Sequence, residues 1–177
     1  DQGISLGVSY DYMKGQIKLP HPVYLGFPPS YEFLHYPTFK DYDIVDSGPE
    51  EICEILRKNP VALFQGRSEQ GQRGLGNRSL LMDGTHPHAI KIVNTIKNRE
   101  WFRPFAPAIL EEYASEYFDI KGSSPYMLYV FKAKKKLPNV TAIDGTSRIQ
   151  TVKQKDNLHF YNLLSAFNKK YKIPFLL

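Results

Sequence analysis

Pro60-Val-Ala-Leu-Phe-Gln-Gly-Arg-Ser-Glu-Gln-Gly-Gln-Arg-Gly-Leu-Gly-Asn-Arg-Ser-Leu-Leu-Met82 reads as strand, loop, strand. Pro60 stops any helix before it, and Val61-Ala62-Leu63-Phe64 is an uninterrupted apolar run, the pattern of a short buried strand. A glycine-rich loop follows over 66–78, and Ser79–Met82 is a second strand. Upstream, Ser47 is expected to cap a helix through Lys58, with Glu50 and Glu51 in the first turn where the dipole favours them. Downstream, a helix beginning at Asp83 or Thr85 runs past Pro87 to about Lys97. Phe105–Leu110 reads as a strand, Glu111–Phe118 as a short helix and Tyr126–Phe131 as a strand of aromatic and branched residues. After a loop over 132–146, Ser147–Val152 alternates like a strand. Asp156 is expected to cap a helix to about Tyr171, and 173–177 is a last strand. Ile4, Val8 and Tyr12 are spaced for a helix over 3–14, while 16–46, rich in Pro, Tyr and Phe, shows no clear period. Strands alternating with helices imply an α/β layer architecture.

A chain of 177 residues suits one domain, or one domain and part of another. The 42% hydrophobic and 14% aromatic content supports a real core and excludes disorder. No apolar run approaches the roughly 20 residues of a membrane span, and no basic start leads into an apolar stretch, so neither a membrane nor a signal peptide is expected. The single cysteine, Cys53, permits no internal disulfide and no cysteine-built metal site, and a cytoplasmic setting is expected. The start at Asp1 and the apolar ending Ile173-Pro-Phe-Leu-Leu177 suggest a fragment of a longer protein.

Charge is unevenly spread. Residues 1–65 hold five basic and nine acidic side chains, 66–103 hold seven and three, and 104–177 hold eleven and six. Five of the seven arginines fall in the middle window. Arginine's rigid fork suits phosphate and carboxylate, so their concentration tells more than the net charge of +5.

Three constellations could carry chemistry. In the loop Gln65–Ser79, glycines at 66, 71, 74 and 76 let the backbone approach a ligand, and successive N–H groups can form an anion-binding concavity. Arg73 and Arg78 add charge-assisted donors. The loop is not a P-loop, because Asn77-Arg78 replaces the Lys-Ser/Thr pair, and it is not a dinucleotide fingerprint, because a strand follows it. A surface turn with solubilising arginines is the competing reading. In Lys97-Asn-Arg-Glu-Trp-Phe-Arg103-Pro-Phe-Ala-Pro-Ala108, two prolines stiffen a backbone carrying three cations among aromatics, as polyphosphate binding would require. A basic helix end suited to the dipole explains Lys97 and Arg99, and Arg103 poorly. In Asp144-Gly-Thr-Ser-Arg148-Ile-Gln150 a turn leads into a strand on which Arg148 and Gln150 face one way. A surface cross-strand pair is the plainer reading there. His86 and His88 lack a third metal ligand at useful spacing, Lys132–Lys136 reads as a solvated loop, and Cys53 as packed in its helix.

Together these motifs resemble the C-terminal region of the NodU/CmcH-type O-carbamoyltransferases. The resemblance rests on Gln-Gly-Arg-x-Glu-x-Gly-x-Arg-x-Leu-Gly-Asn-Arg-Ser over 65–79 and on Lys97-x-Arg-Glu-x-Phe-Arg-Pro-Phe-Ala-Pro-Ala108. Ser124-Pro-Tyr-Met127 and Asp144-Gly-Thr-x-Arg-x-Gln-Thr-Val152 continue it in order, and Gly3-Ile-Ser-Leu-Gly7 resembles the last helix of that family's N-terminal domain. The resemblance implies residues 1–20 as the last helix of an actin-like N-terminal domain plus a linker. It implies 21–177 as a YrdC-like α/β domain, a twisted mixed sheet flanked by helices, cut short at its C-terminus.

It also implies a transferase that makes carbamoyl-adenylate from carbamoyl phosphate and ATP, with Mg²⁺ expected, and passes the carbamoyl group to a hydroxyl of a small molecule or sugar. Lys97, Arg103 and Arg73 would be catalytic. Arg148, Asn77, Arg78, Ser79, Met127 and Asp144 would bind substrate or nucleotide. No metal is expected in this chain, the family's metal lying on the N-terminal domain, which would be its partner; a homodimer is compatible. Fixed cations suit a reaction that develops charge on phosphate oxygens. Gln72-Arg73-Gly74 stands where the family usually has Pro-Arg-Ala, which should loosen the loop, and Ala142 stands where it usually has His. The Asn-Thr-Ser-Phe-Asn motif that normally follows the last strand is absent, so the fragment is expected not to complete carbamoyl transfer. Competing readings are a nucleic-acid-binding YrdC-like module, for which no recognisable motif is present, and a degenerate interaction domain.

Overall fold

The computed structural model describes residues 4–14, 16, 23–30 and 40–177. The chain divides into two compact units, residues 1–45 with 64–79, and residues 46–63 with 80–177. In the first unit lies α1 (Ile4–Tyr12). Its Val8 and Tyr12 are exposed. The described residues among 16–46 contain no helix or strand, as their aperiodic sequence suggests.

The second unit is built on β3 (Ala108–Leu110). It pairs in parallel with β6 (Gln150–Val152), Ile109 opposite Thr151, and antiparallel with β7 (Phe175–Leu176), Ile109 opposite Phe175. Alternation along β3 sends Ala108 and Leu110 to one core and Ile109 to the other. On the first face pack α2 (Pro49–Leu56) and α5 (Leu158–Tyr171), and on the second α3 (Ala89–Ile96) and α4 (Glu111–Tyr117). A mixed sheet covered by helices on both faces is the α/β architecture expected. Phe160, Leu163, Leu164 and Phe167 recur at three and four residues along α5 and are all buried. Each stabilises the fold by about 2 kcal/mol. Two further pairs complete the strands, β1 (Val61–Phe64) with β2 (Arg78–Leu81), and β4 (Val130–Lys132) with β5 (Thr146–Arg148).

Several boundaries differ from expectation for identifiable reasons. Gly48, not Ser47, caps α2; Pro49 takes the first helical position and the Glu51 carboxylate accepts from Gly48 N–H at 2.8 Å. Strand β1 alternates between half-buried and exposed residues instead of being covered on both faces. α3 starts at Ala89 because Asp83 is engaged elsewhere. Its carboxylate, fully buried, accepts from Thr85 N–H and Thr85 Oγ1, both at 2.8 Å, and pairs with Arg57. That side-chain turn holds the backbone out of helical geometry until Pro87 has passed. The expected strand over Tyr126–Phe131 shrinks to its end, since Met127 takes a left-handed φ of 53° and breaks the extension. The run Ser147–Val152 is two strands. One pairs with β4 and the other with β3, and the chain shifts between them at the fully buried Ile149. Arg148 is therefore exposed while Gln150 is buried, and the two do not share a face. Asn157, not Asp156, caps α5, accepting from Phe160 N–H at 3.1 Å. Among the described residues no helix is long and apolar enough to cross a membrane.

Cys53 is buried in α2, and desolvation, helped by Glu50, pushes its thiol up from 9.0 to about 11. A value raised on folding adds stability that is complete below the unfolded value of 9.0 and is lost as pH rises toward about 11. Iodoacetamide at pH 8 should leave the folded chain unmodified and alkylate it in urea. Labelling of the folded chain at a free-thiol rate would contradict this packing. For Asp83→Ala, urea denaturation should report a loss of about 2–3 kcal/mol, because the Thr85 donors and Arg57 lose their acceptor together.

Candidate functional site

The glycine loop is a closed hydrogen-bonded structure. Gln65 N–H donates to Asn77 O at 3.0 Å, and the Gln65 side chain donates to Gly76 O at 2.9 Å. Asn77 Nδ2 reaches Arg67 O at 2.7 Å, and Gly76 N–H donates to Ser79 Oγ at 2.9 Å. Tyr24 reinforces the loop from the same unit, donating to Leu75 O at 2.7 Å. Gly76 holds a φ of 107°, open essentially to glycine alone. Gly74 serves close approach: a Cβ there would sit 2.4 Å from the carbonyl oxygen of Arg78. Glycine at 74 therefore permits a backbone approach that any side chain would obstruct.

The predicted anion concavity exists and is occupied from within. The amides of Leu75, Asn77 and Arg78 all donate to Glu69 Oε1, at 2.6, 2.9 and 3.3 Å. Glu69 was visible in the quoted motif without a role, and a lone carboxylate among glycines and arginines was the signal available. Arg78 turns back on its own loop. Its Nη1 donates to Gln65 O at 2.6 Å and Asn77 O at 2.7 Å, and its guanidinium lies 3.7 Å from the centre of the Phe64 ring. Arg73 is half-buried on this loop.

In the second unit, Lys97 is the C-terminal cap of α3 and is exposed. The segment after it is anchored by Asn94, a residue the sequence reading did not single out. Asn94 is 1% exposed and donates through Nδ2 to Arg103 O at 3.0 Å and Trp101 O at 3.4 Å. Its own carbonyl accepts Arg99 N–H at 2.9 Å. Lys97 and Arg103 are thus held at the two ends of one pinned loop. Arg103 is half exposed and forks onto Glu100, Nε to Oε2 at 2.8 Å and Nη2 to Oε1 at 3.3 Å. Arg99 lies 5.1 Å from the centre of the Phe105 ring, while Trp101 and Phe102 are exposed.

The other two motifs meet on β5 and β6. Buried Ser124 donates N–H to Thr151 Oγ1 at 2.8 Å and Oγ to Ile149 O at 3.2 Å, and Thr151 N–H returns to Ser124 O at 2.9 Å. This fastens the segment carrying Met127 to the strands that carry Arg148, which lies across from Val130 on β4. Asp144 accepts Thr146 Oγ1 at 2.7 Å and Thr146 N–H at 2.9 Å, bonds that hold its carboxyl below the usual range. A hollow of about 410 Å³ in this unit is lined by Glu111, Glu112, Lys153 and Tyr161 among others and contains none of the predicted residues. Among the described residues no group of His, Cys, Asp and Glu is placed to hold a metal ion.

Residues 53–177 match the family described as Carbamoyltransferase C-terminus. The chain belongs to that family. It is 42% identical over 132 residues to an uncharacterised protein of Methanocaldococcus jannaschii, covering 71% of this chain and 22% of that protein. It is 42% identical over 125 residues to nodulation protein NolO of Bradyrhizobium diazoefficiens, covering 66% and 23%. Nodulation protein U of Rhizobium tropici is 32% identical over 190 aligned positions, covering 99% and 31%. The chain thus spans about a fifth to a third of the length of these curated relatives. All four motifs fall within the residues matched, 53–177.

Replacing Asn94 with alanine frees the carbonyls of Trp101 and Arg103. Trypsin should then cut faster after Lys97 and Arg99, and stability should fall by about 1–3 kcal/mol. An unchanged cleavage pattern would remove Asn94 as the anchor of this loop.

Proposed function

We propose that this chain supplies the nucleotide- and carbamoyl-phosphate-binding part of an O-carbamoyltransferase. The observation that carries the reading is the family match over 53–177, which contains the basic residues selected on chemical grounds. In the proposed reaction water cleaves carbamoyl phosphate to carbamate and inorganic phosphate, and the carbamate oxygen attacks the α-phosphorus of ATP. Pyrophosphate leaves, and an acceptor hydroxyl oxygen attacks the carbamoyl carbon of the carbamoyl-adenylate, losing its proton and releasing AMP. Every step places negative charge on phosphate oxygens. Lys97, Arg103 and Arg73 are proposed to neutralise that charge, and Arg148 to bind the phosphates, with Mg²⁺ accompanying ATP.

Asn77, Ser79 and Arg78 are proposed to build the phosphate-facing loop, Met127 to lie by the nucleotide, and Asp144 to set the turn before Arg148. The domain is proposed to be YrdC-like, to work in the cytoplasm and to act beside an actin-like domain that chooses the acceptor, a small molecule or a sugar. Support comes from how the cations are held. The Glu100–Arg103 pair is half exposed, so it contributes less than about 1 kcal/mol, and a doubly charged phosphate displaces Glu100 at small cost.

Calorimetric titration of the chain with ATP and Mg²⁺ should detect binding that weakens about tenfold in each of Lys97→Ala, Arg103→Ala and Arg148→Ala, about 1.4 kcal/mol apiece. Added carbamoyl phosphate should release pyrophosphate from ATP in the full-length protein. Absence of nucleotide binding there, with salt-dependent binding of RNA in its place, would overturn the reading in favour of a nucleic-acid module.

A further inference from the structure

Converging N–H groups make an anion site, and the glycine loop has three of them aimed at one carboxylate oxygen. The second oxygen of Glu69, Oε2, is buried and has no hydrogen-bond partner among the described residues. The carboxylate is therefore held through the oxygen that the amides grip, and that grip must outweigh the drying of the other. A neutral or weaker acceptor would not satisfy this balance. The bond from Leu75 N–H back to Glu69 also closes residues 70–74 into a small ring, and Arg73 lies inside that ring. At the ring's exit Gly74 packs against the Arg78 carbonyl, leaving no room for a Cβ.

We propose that the amides of Leu75, Asn77 and Arg78 form an anion site whose resident anion is the chain's own Glu69 carboxylate. Glu69 is thereby a positioning residue that fixes the backbone carrying Arg73. The loop amides are closed to substrate phosphate, and the loop meets an external anion through side chains. Only the role of Arg73 rests on the carbamoyltransferase reading; the occupied anion site stands on the geometry of the loop.

The test is hydrogen exchange at the Leu75, Asn77 and Arg78 amides, followed by NMR without nucleotide. In the wild-type chain these amides are protected, and neither formate nor acetate changes their rates. In Glu69→Ala they should exchange at least about tenfold faster, and formate, small enough for the vacated space, should restore protection saturably. Formamide and chloride should not. Glu69→Gln keeps an acceptor without the charge and should give intermediate rates, which preserves the test if the alanine variant does not fold. Unchanged rates in Glu69→Gln, or failure of formate to protect the amides of a folded Glu69→Ala, would overturn the proposal. If ATP binds, Glu69→Ala should weaken it and formate should recover it. Rescue of exchange in a chain that binds no nucleotide would instead leave the anion site standing and remove the functional reading alone.

Discussion

Ala108, Ile109 and Leu110 are hydrogen-bonded on both edges and buried on both faces, and the second unit hangs from that double constraint. A slip of one residue would exchange Ile109 with its neighbours between the two cores, so neither edge tolerates another register. The ladder extends beyond the strand itself. Leu110 N–H donates to Pro174 O at 3.0 Å, and Pro107 O accepts Gln150 N–H at 2.9 Å. These bonds fix where the chain enters β3, and the basic segment 97–107 leads into that point. α3 fixes the other end, so the cations of this segment ride on a span tied at both ends.

Buried polar groups tie the remaining loops. Burying such a group without a partner costs on the order of 1–3 kcal/mol, so each one found bonded fixes its neighbours. Asn139 donates to Gly84 O at 2.9 Å and His86 O at 2.8 Å while its carbonyl accepts Phe105 N–H at 3.3 Å. The turn after β2 is thereby coupled to the segment entering β3. Ser124 does the same for the Met127 segment, Asn94 for Lys97–Arg103 and Glu69 for the glycine loop. Three of these four side chains are less than 10% exposed, and each binds backbone groups in preference to other side chains. They specify the paths of loops whose own sequences have no periodicity to specify them.

That division explains what could be read from the sequence. α5, α2 and the alternation of strands and helices were legible, because their apolar residues recur at the period of the element they form. The glycine loop was legible as an anion cradle, since glycines and adjacent amides imply one. What escaped were contacts between residues far apart or acting against local pattern. Asp83 looked like a helix cap and bonds instead to Thr85 and Arg57, the latter 26 positions away. Tyr126–Phe131 has the composition of a strand, and a single left-handed residue at Met127 undoes it. Arg148 and Gln150 obey period two, yet the strand divides between them at Ile149. The basic residues are legible from composition, while Asn94 and Glu69, which hold two of their loops, carry no cation and have no role that the sequence alone assigns.

The arginines sort by what already occupies them, and the sorting bears on which can act on a ligand. Arg78 is committed: carbonyls of Gln65, Gly66 and Asn77 surround its guanidinium, which also lies on the Phe64 ring. Releasing it would strand several carbonyl partners, a cost no single phosphate contact repays. Arg57 is committed too, as the counter-ion of a carboxylate with no exposure to water. Arg103 differs. Its partner, Glu100, is as exposed as itself and hydrates readily once released, so the pair neutralises the cation without consuming it. A guanidinium kept in orientation by a weak carboxylate fork, on a backbone pinned by Asn94, suits the phosphate contact proposed for Arg103. Arg78 and Arg57 are thus occupied in holding their own surroundings, while Arg103 is only lightly held.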